Sequence, residues 1–366
     1  MDNTDIEWTD ATWNPVTGCT LVDAGCCNCY AATLAATRLK NHPSRKGLAR
    51  VNAQGVAKFT GEVRFNDQWL TQPLKWRKPR MIFVNAHGDT FHPDVPDAWI
   101  DKIFAVMALC PQHTFQVLTK RPDRMRRYIL GLDCDGARRF NMADAAEPIA
   151  TDFRYWKGDG PSDWDLAVAE AIHAKHWPLP NVWLGTSVSE QTSADERIPA
   201  LLDTPAAIRF ISYEPALGPV DLRKIHTIFT STDCLAGRML KETDREAGPQ
   251  KVSALDWVIC GGESGPNARP MHPDWARSVR DQCAEAGVPF LFKQWGAWVC
   301  HIDRDNDDPD WRADYGLANR KPKEFAHINL EGGMGFHGDR LCMMRRVGKK
   351  AAGRLLDGVT HDGFPK

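Results

Sequence analysis

Short apolar runs recur along the chain, each ending in polar or glycine-rich residues: Met81–Ala86, Thr114–Thr119, Val182–Ser187, Ile208–Ser212, Trp257–Gly261 and Pro289–Lys293. Continuous Val, Ile, Phe and Leu of this length suit strands buried on both faces, as in a parallel sheet. Amphipathic stretches lie between them. Pro96–Leu109 opens with Pro and Asp and places Trp99, Ile103, Val106 and Met107 on one helical face. Pro273–Ala286 repeats the arrangement, with Gly287 as the helix stop. Alternating strand and helix predicts βα units with right-handed crossovers. With a further strand near Ala11–Asn14, the predicted fold class is α/β, a full or partial (β/α) barrel.

Two stretches interrupt this rhythm. Residues of about 130–180 show no clear period and residues 231–254 are polar, so both are expected to be insertions in loops. Met343–Leu356 carries five cations and no acids at helical spacing. The predicted organisation is a barrel over about residues 1–300 with these two insertions. A C-terminal extension over 301–366 follows, its basic helix packing on the barrel.

In a barrel, chemistry sits on the loops that follow the strands. Those positions hold Asn85, His87, Asp89 and His92, then Lys120 and Arg121, then Ser187, Ser189 and Glu190. Ser212 and Glu214, Gly262, Glu263 and Ser264, and Lys293, Gln294 and Trp295 complete the set.

Composition narrows the function classes. The 366 residues include 46 Lys or Arg and 47 Asp or Glu, for a formal charge of −1, with 43% hydrophobic and 25% charged residues. These values exclude a disordered chain and a protein that wraps nucleic acid by bulk electrostatics. Local basic stretches remain: Lys75–Arg80, the cations from Lys120 to Arg127, and those from Arg345 to Arg354. The 14 Trp are expected mostly in the core. The N-terminal segment lacks an apolar core, so no signal peptide is expected. No apolar run approaches the roughly 20 residues of a membrane helix, and the expected location is cytoplasmic.

The 11 cysteines stand out against that background, because disulfides rarely persist in the cytosol. Seven are scattered singly, at Cys110, Cys134, Cys234, Cys260, Cys283, Cys300 and Cys342, and are read as small core hydrophobes. The other four, Cys19, Cys26, Cys27 and Cys29, share one loop marked by Pro15, Gly18, Gly25 and Asn28. A structural zinc site usually has a second, distant ligand pair, and no second CxxC or HxxxH set follows. One compact loop of thiolates fits a [4Fe–4S] centre, in which soft sulfur holds iron. The spacing Cys19-x6-Cys26-x2-Cys29 supplies three ligands and leaves one iron open, with Cys27 as a bystander.

A first strand followed by three cysteines that end in Cys29-Tyr30 resembles the radical S-adenosylmethionine (SAM) superfamily. Most of that superfamily has three residues between the first two cysteines, and here there are six. The expanded loop within IEWTDATWNPVTGC resembles a phage-associated branch distantly similar to spore photoproduct lyase. IFVNAHGDTFHPDVP, VLTKRP, VWLGTSV, RFISYEP, WVICGGESG, FLFKQWG and GKKAAGRLLDG fit the same branch.

The resemblance implies a radical SAM barrel in which Cys19, Cys26 and Cys29 ligate a [4Fe–4S] cluster and SAM chelates the open iron. One electron, from a donor such as flavodoxin or ferredoxin, would cleave SAM to methionine and a 5′-deoxyadenosyl radical that abstracts a substrate hydrogen. Tyr30 would pack near the adenine, and Asn85, Asp89, Ser187 and Glu214 would contact SAM. A departure bears on these four: Ala86-His87-Gly88-Asp89 replaces the familiar Gly-Gly-Glu after the second strand. A Gly-Gly-Glu does stand at 261–263, on the sixth strand, where that role is not expected. The implied substrate is a modified thymine, in phage DNA or as a nucleotide. The reaction would isomerise N-linked to Cα-linked glycinyl-thymine in a hypermodification pathway that protects phage DNA from restriction. Two alternatives are a DNA repair lyase, with Cys260 as hydrogen donor, and a non-catalytic iron–sulfur binding protein.

Overall fold

All seven expected strands form. They are β1 (Ala11–Trp13), β2 (Met81–Val84), β3 (Thr114–Thr119), β4 (Val182–Val188), β5 (Ile208–Tyr213), β6 (Trp257–Gly261) and β7 (Phe290–Gln294). The computed structural model describes residues 4, 6–134, 141–149, 177–241, 243, 247–305, 311–333 and 340–365. The seven strands make one parallel sheet whose spatial order follows the chain order, β1 to β7. The fold is therefore mixed α/β, with a sheet compatible with a partial (β/α) barrel. Among the described residues, no helix is long and apolar enough to cross a membrane.

Burial explains why unbroken apolar runs mark these strands. Every residue of β6 is buried, as are most positions of β3 and β4, so both faces need hydrophobic side chains. β2 stops at Val84, short of the expected end, because Asn85 turns the chain at φ 55. Asparagine tolerates that left-handed backbone. Here the turn is anchored by the Asn85 amide donating to the Trp13 carbonyl at 2.7 Å.

The main helices are α1 (Tyr30–Ala36), α2 (Asp97–Ala108), α3 (Pro122–Cys134), α4 (Gln191–Leu202) and α5 (Pro273–Ala286), of which α2 and α5 fall on the two stretches expected from amphipathic spacing. α5 begins at the predicted Pro273, where the His272 ring accepts from the Asp274 amide, and stops at Gly287 with φ 69. Three tryptophans pack in the interior with their indole N–H groups satisfied. Trp13 donates to the Trp69 carbonyl at 2.8 Å, Trp257 to that of Gly363 at 2.7 Å and Trp275 to that of Leu330 at 2.6 Å.

The chain divides into two compact units. The first comprises Met1–Leu21, Ala31–Thr186 and Asp203–Arg209, and the second Val22–Tyr30, Ser187–Leu202 and Phe210–Lys366. Most of the expected insertion at 130–180 lies outside the described residues. The polar insertion at 231–254 belongs to a four-stranded antiparallel sheet of Ile225–His226, Thr230–Asp233, Arg238–Lys241 and Gln250–Lys251. It is more than a loop.

The C-terminal segment corrects the expected basic helix. Three further strands, β8 (Trp298–Asp305), β9 (Phe325–Asn329) and β10 (Arg340–Arg346), form an antiparallel sheet with β10 in the centre. Residues 343–346 are therefore strand, and only Lys349–Ala352 is helical. Gly348 and Gly353, at φ 84 and 69, bound that single turn, and pairing of β10 on both sides overrides the helical spacing. The tail beyond it covers the edge of β7: Leu291 bridges Asp362, and the Phe292 amide donates to the His361 carbonyl at 3.0 Å.

One half-buried group predicts a pH dependence. Burial, with help from the Arg45 charge, pushes the His87 pKa down from 6.5 to about 4. Between those values the unfolded chain binds a proton that the folded chain refuses, so this contribution to stability is complete above pH 6.5. It declines as pH falls toward 4, by at most about 3 kcal/mol. Urea midpoints measured from pH 7 to pH 4 should fall for the wild type and fall less steeply for His87→Gln. Equal slopes would refute the assignment.

Candidate metal and cofactor site

The cysteine loop starts in the first unit and ends in the second, and each part has its own anchors. In the first unit, Gly18 precedes Cys19 at φ 95, where an added Cβ would lie 2.1 Å from the Glu62 carbonyl oxygen, so only glycine fits. Its amide donates to the His87 carbonyl at 3.1 Å, which ties the loop to the turn after β2.

That turn delivers Asp89, whose side chain is buried and fully engaged. Asp89 Oδ1 accepts from the Phe91 amide at 2.9 Å and from Thr119 Oγ1, at the end of β3, at 2.7 Å. Its Oδ2 accepts from Arg121 Nη1 at 2.7 Å. The same Arg121 Nη1 lies 3.6 Å from Cys19 Sγ, while Nη2 donates to Thr20 Oγ1 at 2.6 Å and to the Thr20 carbonyl at 3.3 Å. Burial works against the guanidinium charge, but Asp89 and the Cys19 sulfur outweigh it, and the Arg121 pKa rises. A cation beside sulfur favours the thiolate that binds metal.

His92 closes the network. Its Nδ1 accepts from the Asp94 amide at 3.2 Å, so the neutral ring carries its proton on Nε2, 2.9 Å from Thr20 Oγ1. Burial and the neighbouring Arg121 hold its pKa below the usual value despite Asp89 and Asp94, which keeps that tautomer. Asn85 serves the turn. Its Oδ1 accepts from the Val16 amide and its Nδ2 donates to Thr90 Oγ1, both at 2.8 Å.

In the second unit, Cys26, Cys27 and Cys29 are half-buried thiols and Tyr30 is exposed. Asn28, between the last two cysteines, donates from Nδ2 to Glu263 Oε2 at 2.9 Å and to the Asn267 carbonyl at 2.8 Å. Glu263 is buried and paired with Arg269, through Nε to Oε2 at 2.9 Å and Nη2 to Oε1 at 2.6 Å. Arg269 Nη2 also donates to the Ala24 carbonyl at 2.9 Å, and Arg197 holds Asp23 at 2.5 Å. The Gly-Gly-Glu of β6 thus braces the cysteine loop, a role not read from sequence. Its signal was the glycine pair: an added Cβ on Gly262 would lie 2.1 Å from the Trp295 carbonyl oxygen.

The other expected residues also sit at strand ends. Glu214, after β5, accepts from Lys293 Nζ at 2.8 Å and Gln294 Nε2 at 3.3 Å, and its carbonyl accepts from Ser187 Oγ at 3.2 Å. Cys260 is fully buried within β6, and burial, with the Glu214 charge, pushes its thiol pKa up.

A family of proteins of unknown function, DUF5131, matches residues 3–365. The chain belongs to that family. No curated protein and no solved structure matches it.

The DUF5131 chain brings together a second thiol group that spacing did not reveal. Cys300, Asp303 and Cys342 place their ligand atoms within 4.8 Å of one another, so two of the cysteines expected as packing share a polar cluster. Cys342 Sγ donates to Asp303 Oδ1 at 3.2 Å. A hydrogen bond between the thiols makes Cys300 the easier of the two to ionise and Cys342 the harder. The basic stretch after β3 is largely used internally: Arg124 pairs with Asp97 at 3.3 Å and Arg126 with Asp203 at 3.6 Å.

The Asp89–Arg121 pair should behave as a unit. Arg121→Met leaves a buried carboxylate unpaired and should cost about 3 kcal/mol in chemical denaturation. Adding Asp89→Asn should recover part of that loss, and strictly additive effects would count against the pairing.

Proposed function

We propose that this DUF5131 chain is a radical SAM enzyme that holds a [4Fe–4S] cluster on Cys19, Cys26 and Cys29. The observation that carries the reading is the cysteine loop itself. Three half-buried thiols follow the first strand of a parallel α/β sheet, with a guanidinium donating to the sulfur of Cys19. The donor set fits the cluster in chemistry and number, and Cys27 remains outside it. When bound, the cluster supplies the electron that cleaves SAM to methionine and a 5′-deoxyadenosyl radical.

The chain's own residues do the rest. Arg121, steadied by Asp89, keeps positive charge beside Cys19 and clamps Thr20. Arg269 holds the Ala24 carbonyl and Glu263 the Asn28 side chain, which orients the Cys26–Cys29 turn. Glu214 and Lys293 form a half-buried ion pair at the ends of β5 and β7, suited to a polar substrate group. Ser187 steadies the Glu214 backbone.

For the substrate, we propose the glycine-bearing thymine of phage DNA, isomerised from N-linked to Cα-linked glycine. The C–H beside an amine gives a stabilised radical, and the glycine changes its point of attachment without net redox change. Supporting a DNA substrate, Lys75, Arg77 and Lys78 are exposed around a buried Trp76, a patch able to contact phosphates. A base inside a duplex would have to be flipped out to react. The electron donor would be a flavodoxin or ferredoxin.

Anaerobically reconstituted wild type with dithionite should convert SAM to 5′-deoxyadenosine, and Cys29→Ala should not. Cluster-loaded wild type that makes none would overturn the enzyme reading. On DNA bearing the glycine-substituted thymine, the digest should yield a nucleoside of unchanged mass and shifted retention. A product of altered mass would remove the isomerase and leave the radical SAM assignment standing.

A further inference from the structure

The three-stranded C-terminal sheet has two unlike faces. On one, Ile302 and Met343 pack with Phe325, Leu317 and Ala318 as an apolar cluster. On the other, the register puts Cys342 opposite Asp303, and Met344 opposite Cys300. In a regular strand, residues three apart point to opposite faces, so Cys300 and Asp303 would be separated. The irregularity between Cys300 and Ile302 inserts one residue, His301, and restores both to the face that carries Cys342. Without that bulge the three groups could not meet.

The geometry points to a zinc site at Cys300, Asp303 and Cys342, outside the N-terminal cysteine loop and independent of the function proposed above. Their ligand atoms lie within 4.8 Å of one another, close enough for one ion to reach all three after small side-chain rotations. Two sulfurs and a carboxylate are a donor set that zinc accepts, and three protein ligands leave a fourth position for water. The carboxylate already has outer support. Asp303 Oδ2 accepts from Arg277 Nη1 of α5 at 2.6 Å, leaving Oδ1 directed at Cys342. Arg277 is in turn held by Asp274 at 2.7 Å and Asp357 at 2.8 Å. Ligating carboxylates are commonly oriented by such second partners. Binding would displace the two thiol protons to solvent and form two Zn–S bonds and one Zn–O bond, with no change of oxidation state. The ion would pin β8 to β10.

The test uses the full chain with Cys19, Cys26, Cys27 and Cys29 changed to Ala, so that the N-terminal loop cannot compete. After reduction and treatment with Zn2+ alone, elemental analysis should find stoichiometric zinc. Co2+ in its place should give thiolate-to-metal charge-transfer absorption. Cys300→Ser and Cys342→Ser should each abolish that absorption. Asp303→Asn, which keeps the shape of the site but removes the ligating charge, should weaken zinc, and Arg277→Gln should weaken it on the order of 10–100-fold through loss of orientation. Absence of zinc in the reduced parent would overturn the proposal. So would zinc retained unchanged in both serine variants, or recovery of Cys300 and Cys342 only as a disulfide that takes up no zinc after reduction.

Discussion

A buried carboxylate must be paired, and in the first unit that requirement falls on Asp89. Everything around the start of the cysteine loop follows from how it is met. The turn after β2 presents the carboxylate, the end of β3 supplies Thr119 and Arg121, and the guanidinium left over by that pairing reaches Thr20 and Cys19. A single cation thus neutralises one acid and places positive charge beside a sulfur. Neither group would sit there without adjacent parallel strands, because only β2 and β3 side by side bring residues 89 and 121 within hydrogen-bond reach. The second unit reaches a comparable result with other parts. Glu263 after β6 is neutralised by Arg269, and that pair holds the Ala24 carbonyl and the Asn28 side chain on either side of Cys26.

Much of the fold was legible because doubly buried strands cannot alternate. β3 and β6 coincide with their apolar runs, and the other strands differ by a residue or two at their ends. Several strands escaped notice, among them Phe325–Asn329, although it is buried throughout. Thr230–Asp233 and Arg238–Lys241 read as polar loop, since little of their surface enters a core. The error over Met343–Leu356 has a related origin. Cations at helical spacing describe a helix only if nothing else claims the backbone, and β8 claims it through Arg346 and β9 through Arg345.

The candidate cysteines were legible in the sequence and the residues that brace their loop were not. Cys19, Cys26 and Cys29 are neighbours in sequence, so spacing alone marked them. Arg121 lies 102 residues from Cys19, and Glu263 lies 235 residues from Asn28. Arg121 was read within a basic stretch and Glu263 as a loop acid, because pairing across the sheet leaves no local periodicity. Cys300 and Cys342 were harder still. Their meeting depends on a bulge, which no hydrophobic pattern encodes.

The two thiol groups differ in what faces the sulfur, and that difference separates their chemistry. Cys19 donates to the Thr20 carbonyl at 3.4 Å and also receives a hydrogen bond from a guanidinium, which favours negative charge on sulfur. Cys342 gives its hydrogen to a carboxylate and is fully buried. Its hydrogen bond with Cys300, together with burial, keeps the proton on the Cys342 thiol. An ion entering there must displace that proton, so its affinity rises with pH until the thiol is no longer a competitor. An ion meeting Cys19 finds a sulfur already turned toward positive charge. Opposite charge at the sulfur thus distinguishes the two groups, a guanidinium beside Cys19 and a carboxylate beside Cys342.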